Sequence, residues 1–169
     1  AIHAIDGSIR AKAITAYVYD TFLTDIRDDF AKREGLLFVG GFAHPPNADA
    51  VLWFAKDIYP RIRQKMEAAG QVPPEFIVVG SKVTDEIRAL QQPGNGIIIK
   101  GFVSEEELSE LYATCRVVVV PLRYGAGVKG KVVEAIYNGA PIVTTSIGAE
   151  GIPQVEDVLL VEDEPEAFA

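Results

Sequence analysis

Apolar residues come along this chain in two rhythms. Short runs stand at Leu36–Val39, Phe76–Val79, Ile97–Ile99, Val117–Val120 and Ile142–Thr144, with further candidates at Ile14–Tyr19 and Val158–Val161. Several are apolar throughout rather than alternating, the pattern of parallel strands buried on both faces. Between most of them the apolar positions recur at helical spacing. The stripe Val51, Phe54, Ala55, Ile58, Ile62 and Met66 predicts a helix starting near Asn47, which Pro60 bends or restarts. Ser104 with Glu107 forms a capping box ahead of Leu108 and Leu111. A further helix is expected from Gly130 to a stop at Asn138–Gly139, with Pro141 shortly beyond. Strands alternating with helices and joined by right-handed crossovers predict an α/β fold on a doubly wound, mostly parallel sheet with helices on both faces.

The two ends depart from this pattern. Residues 1–35 hold one strand candidate and then a polar, acidic stretch from Asp20 to Glu34, which is expected to be a linker or partial element from a preceding region. Residues 36–169 form the expected domain, and the closing "VEDEPEAFA" suggests a helix cut after its first turn. With a first residue Ala1 rather than methionine, both ends suggest a piece of a longer protein.

Composition narrows the class. The 169 residues suit one domain with one core, and 49% hydrophobic against 24% charged residues is globular rather than disordered usage. Net charge −8 disfavours binding to nucleic acid, which needs basic surface. The acidic stretch Glu156 to Glu166 is expected to be a solvated edge. The longest apolar run, Val117 to Leu122, is far short of the ~20 residues a membrane span needs, so no membrane insertion is expected. The single Cys115 is expected to be a buried structural thiol and suits a reducing, cytoplasmic setting. The two histidines and the absence of Cys/His ligand spacing predict no metal.

In an open parallel sheet, ligands sit beyond the carboxyl ends of the strands. Two loops there carry candidate chemistry. "GGFAHPPN" offers Gly40 and Gly41 for close backbone approach, with His44 as its titratable group. "RYGAGVKGKVVEAIYNGAP" puts Gly125 and Gly127 ahead of a helix whose positive end favours phosphate. Lys131 and Glu134 share one face of that helix, while Val132, Val133 and Ile136 are free to pack on the sheet. This suits a nucleoside diphosphate, with Lys131 and Lys129 near phosphate oxygens and Glu134 accepting from ribose hydroxyls. The alternative is a strand-to-helix turn followed by an exposed ion pair worth a few tenths of a kcal/mol. There is no G-x-x-x-x-G-K-[ST] loop, no strand-linked G-x-G-x-x-G with its acidic partner, and no Asp-x-Asp pair for a metal-held diphosphate.

Taken together, "LLFVGGFAHPPNADAVLWFAKDIYP", "VVGS" and "KGFVSEEELSELYATCRVVVVPLRYGAGVKGKVVEAIYNGAPIVTTSIGAEGI" resemble the carboxyl-terminal domain of group 1 retaining glycosyltransferases of two-Rossmann-domain (GT-B) architecture. The resemblance implies a Rossmann-like domain that holds a nucleotide-diphosphate sugar as donor, without a cofactor or metal. The acceptor, a saccharide or lipid, would be bound through a preceding domain outside this chain. Residue by residue, Glu134 matches the second glutamate of the E-x(7)-E motif, near the donor ribose. Gly127, Val128 and Lys129 match the turn facing the phosphates, Phe102 and Val103 the stretch bordering the nucleobase, and Gly40 and Gly41 the first glycine turn. Two departures stand out. Ala126 replaces the motif's first glutamate, and Gly41 stands where many members have an arginine. Arg123, Lys129 and Lys131 are candidates to supply that charge, with Lys131 and Lys129 as the catalytic pair. A non-catalytic interaction module and a two-domain nucleotide-sugar epimerase are the alternatives.

Overall fold

The computed structural model describes Tyr17, Tyr19 and residues 30–169. Apart from those two tyrosines, the strand expected at Ile14–Tyr19 lies outside the described residues, as does the linker before Phe30. Six strands follow: β1 Glu34–Val39, β2 Phe76–Val79, β3 Ile97–Gly101, β4 Cys115–Val120, β5 Ile142–Thr144 and β6 Leu160–Val161. All neighbours pair in parallel, in the order β3-β2-β1-β4-β5-β6. The chain winds outward from β1 to β3, returns to the middle, and winds the other way from β4 to β6. Right-handed crossovers on that path send the helices to opposite faces and leave a crevice at the carboxyl ends of β1 and β4.

The crossovers carry α1 Pro45–Trp53, α2 Tyr59–Ala68, α3 Asp85–Arg88, α4 Glu105–Thr114, α5 Gly130–Tyr137 and α6 Val155–Val158, and α7 Pro165–Phe168 follows β6. The first begins ahead of Asn47, because Pro45 and Pro46 occupy a first turn whose N–H groups have no helical partner anyway. Pro60 cannot donate to the carbonyl of Lys56. A five-residue π turn, Phe54–Ile58, absorbs the mismatch and lets the helical path continue into α2. At α4 the Ser104 hydroxyl accepts from the Glu107 N–H at 3.2 Å, as the capping pattern predicts. The Glu107 carboxylate turns instead to Lys100, at 2.7 Å, so half of the box forms.

The core gathers Phe38, Phe54, Phe76, Tyr112, Val118 and Val120, with the Phe54 and Phe76 rings 4.4 Å apart. Two expectations need correction. Ile136 does not pack on the sheet but is 36% exposed, because α5 presents Val132 and Ala135 to the core and turns the next residue outward. Val158 ends α6 rather than starting a strand, and the two-residue β6 that follows is an edge strand with Leu160 exposed. The acidic end is a solvated edge as expected, with Glu156, Asp157, Glu162, Asp163, Glu164 and Glu166 all exposed. Glu166 pairs with Arg61 at 2.8 Å and Lys65 at 3.0 Å, while Phe168 is buried beside Trp53 and Phe54. Among the described residues no helix is long and apolar enough to cross a membrane.

Candidate functional site

The crevice between β1 and β4 is shaped by what Gly40 lacks. A Cβ there would lie 2.9 Å from the Lys131 Nζ and equally close to the Asn47 side chain. Without it, Lys131 reaches from α5 across the end of β1, where its ammonium stands 4.9 Å from the centre of the Phe38 ring and donates to the Asn47 side-chain oxygen. The Asn47 amide in turn donates to the Gly41 carbonyl at 2.8 Å. Among the described residues no carboxylate pairs with Lys131. Burial first and Lys129 second push its ammonium down to about 8. A cation held under a strand end with only a neutral amide and a ring for company is poised for an anion.

The turn from β4 to α5 forms the other wall. Gly127 has φ +78, a left-handed conformation that side chains disfavour, and this sets the bend ahead of α5. Lys129 caps the helix by its backbone and folds its side chain back on the turn, donating to the Gly127 carbonyl and to Glu150 Oε2 at 3.1 Å. The Thr144 hydroxyl on the Val120 carbonyl, at 2.9 Å, and the Thr145 hydroxyl on the Leu122 carbonyl hold this turn against the loop after β5. Between the walls lies a cavity of about 220 Å³, lined by His44, Asn47, Ala126, Val128, Lys129 and Lys131 among others. Small-molecule sites run to about 300–1,000 Å³, so a ligand the size of a nucleotide sugar would extend beyond this hollow.

One turn along α5, the Glu134 carboxylate is half-buried and accepts from the Tyr112 hydroxyl at 3.4 Å. Burial raises its pKa, and the Tyr112 hydrogen bond opposes that rise. Glu134 makes no ion pair with Lys131, although the two are three residues apart. Two earlier tyrosines lie along the same ridge. Tyr19 stacks on Tyr137 with centroids 3.9 Å apart, and the Tyr17 hydroxyl is 2.7 Å from where a Cβ on Gly130 would be.

The remaining candidates are spread around this centre. Gly41 is half-buried and anchors Asn47. His44 is the exposed N-cap residue of α1, without a side-chain cap bond, and it lines the cavity. Phe102, 82% exposed, and the half-buried Val103 follow β3, two strands from β1 and therefore about 10 Å to the side. Arg123 does not join the cavity lining. Its guanidinium is taken by Asp49, with Nε to Oδ2 at 2.9 Å, and lies 5.4 Å from the centre of the Trp53 ring. Asn47, Tyr112 and Glu150 are site residues that sequence reasoning missed. Asn47 had a signal, since it continues the buried stripe of Val51, Phe54 and Ile58 and is a polar residue only 6% exposed. Among the described residues no group of three or more His, Cys, Asp or Glu side chains is placed to hold a metal ion.

Comparisons with known proteins bear on the same region. Residues 33–169 match the sequence model of the glycosyl transferases group 1 family. An uncharacterized 44.6 kDa protein in the cps region of Klebsiella pneumoniae is 29% identical over 123 residues, 69% of this chain and 30% of that protein. The fold is that of an α,α-trehalose-phosphate synthase (UDP-forming) from Burkholderia vietnamiensis, with TM-score 0.57, 11% identity, and 84% of this chain and 37% of that one covered. A trehalose-6-phosphate structure from E. coli bound with UDP-2-fluoro glucose gives TM-score 0.56 and 13% identity, covering 83% of this chain and 36% of that one. At such identity these structures establish the fold alone. The chain spans 30% of the length of the Klebsiella relative and 37% of the Burkholderia synthase.

Proposed function

The chain belongs to the group 1 glycosyltransferases, and on that premise we propose that it is their donor-binding domain, holding a nucleotide-diphosphate sugar whose glycosyl group passes to an acceptor with retention of configuration. The observation that carries this reading is Lys131, a half-buried residue whose desolvated ammonium has no carboxylate partner among the described residues, set in the strand-end crevice beside a helix N-terminus. The donor's diphosphate lies against Lys131 and the Gly127–Lys129 turn, its ribose toward Glu134, and its base toward Phe102 and Val103. The bond from the anomeric carbon to the diphosphate oxygen breaks, and its electron pair stays with the diphosphate. Lys131 and the free N–H groups of α5 offset that charge, in a position fixed before the reaction starts. Lys129 contributes less than its charge suggests, because Glu150 already neutralises it. Ala126 brings only a methyl group to the cavity, so the donor sugar relies on groups outside this chain's hollow. The acceptor, a saccharide or lipid, would bind through a further domain, and the free thiol of Cys115 fits a cytoplasmic reaction.

The test is a thermal-shift and titration screen of the chain against UDP, GDP, ADP and their sugars, with Lys131→Ala beside the wild type. Binding of one nucleotide that is lost in the variant supports the reading. Binding that survives Lys131→Ala would sink the site, and no binding by any nucleotide would favour a non-catalytic interaction module.

A further inference from the structure

Tyr112 lies on α4, buried to 1% exposure, and among the described residues its hydroxyl has one hydrogen-bond partner, the Glu134 carboxylate on α5. A buried phenol of this kind has a specific cost attached to it. Left without an acceptor it would lose its hydration for nothing, so its place in the core depends on the glutamate. The dependence is not mutual, because Glu134 is half-buried and water can reach it. Tyr112 therefore does something for Glu134 that packing alone does not require.

Burial favours the neutral acid at Glu134, and the Tyr112 hydrogen bond favours the carboxylate. An ionised carboxylate is an acceptor on both oxygens, whereas a protonated one must give part of that capacity to its own hydrogen. Tyr112 holds Oε2 at 3.4 Å, which biases the orientation of the group, and among the described residues Oε1 takes no hydrogen bond. Adjacent hydroxyls on a five-membered ring are what a fixed, ionised carboxylate recognises.

We infer that Tyr112 is a positioning residue for the nucleoside end of the site: by holding Glu134 Oε2 it keeps the other oxygen aimed at the ribose hydroxyls, and so makes the domain select ribonucleotides over their deoxy counterparts. This rests on the donor reading above, in which Glu134 faces the ribose. The substitution that tests it, Tyr112→Phe, keeps the ring and removes only the oxygen.

The experiment is calorimetric titration of the wild-type chain and Tyr112→Phe with whichever of UDP, GDP or ADP binds, and with its 2′,3′-dideoxy form. Wild type is expected to prefer the ribonucleotide by about tenfold, the size of one charge-assisted hydrogen bond. In Tyr112→Phe the preference should shrink to about twofold while affinity for the dideoxy form is unchanged. Equal weakening of both ligands would mean a merely structural tyrosine, and a retained preference would also overturn the inference. Wild-type binding without any ribose preference would remove Glu134 from the ribose and the role of Tyr112 with it. Failure of the wild type to bind any nucleotide would instead refute the donor reading itself.

Discussion

Two hollows open on opposite rims of the sheet, and the smaller is the one with chemistry. The larger, about 630 Å³, lies at the amino ends of β2 and β3 and is lined by Tyr59, Arg63, Glu75, Gln91 and neighbours. Its cation and its phenol are already engaged. The Tyr59 hydroxyl serves the carbonyls of Pro74 and Gly96 at 2.8 and 3.1 Å, and Arg63 is held by the Gly94 carbonyl at 3.2 Å and Glu67 at 3.3 Å. The hollow of about 220 Å³ at the carboxyl ends of β1 and β4 holds a largely desolvated ammonium with no counter-charge among the described residues. Volume says where something would fit, and uncompensated charge says what is missing. The polar surface of the larger hollow is consistent with a structural bracket for the β2–β3 edge.

The sharpest way to break this comparison is to remove one cation from each hollow. Lys131→Ala is expected to weaken nucleotide binding on the order of a hundredfold, the loss of a charge-assisted contact in a buried setting. Arg63→Ala should leave it unchanged in the same titration. If Arg63→Ala gives the larger loss, the assignment of the two rims is reversed. Next in size is Asn47→Ala, which strips the Gly41 carbonyl and Lys131 of their shared partner at a buried position. A loss of about 2 kcal/mol in urea unfolding is expected, together with weaker nucleotide binding as Lys131 loses its aim.

Acidity tests the same contrast without mutation. The Lys131 ammonium titrates at about 8 in the fold, against 10.5 in the unfolded chain. A diphosphate needs the charged form, so above pH 8 binding must take up a proton. Affinity at pH 9 is then about tenfold below its value at pH 7, falling by up to one log unit per pH unit. The stability term runs the other way. Between 8 and 10.5 the unfolded chain holds the extra proton, so this group's contribution to stability rises across that window. Binding measured by titration at pH 7 and pH 9 should show the drop in wild type, and a flat profile would mean that another group takes the phosphate.

The parts that the sequence made legible are those whose causes are local. Strands β1, β2 and β4 announce themselves because each carries an unbroken apolar run, Leu36–Val39, Phe76–Val79 and Val117–Val120, largely withdrawn from solvent. At β6 the same reasoning fails, since an edge strand with Leu160 exposed has no burial to enforce a pattern. Ile136 shows how little error is needed on a helix, where one residue of phase turns a core position into surface. The glycine–lysine turn was visible because its residues are neighbours. Its partners were not, because Lys131 finds Asn47 across 84 residues and Glu134 finds Tyr112 across 22. Such pairs are made by the winding of the sheet, which composition and spacing do not encode.

Arg123 gives the smallest and most discriminating test, because from sequence it was a candidate for the same role as Lys131. Like Lys131 it lies over an aromatic ring, but it has what Lys131 lacks, a two-point pairing with a carboxylate, Asp49. The pair stands in solvent, with the Arg123 side chain 50% exposed, so screening reduces its worth to ~0.5 kcal/mol. Its charge is also answered, leaving little to offer a phosphate. Arg123→Ala is therefore expected to lower stability by roughly that amount in urea unfolding and to leave nucleotide affinity within about twofold of wild type, because a compensated charge outside the lining contributes little to an anion at the cavity. A tenfold loss of binding in Arg123→Ala would show that the salt bridge opens when the donor arrives. The rule drawn from the two hollows, that free charge marks the site, would then hold only for the empty protein.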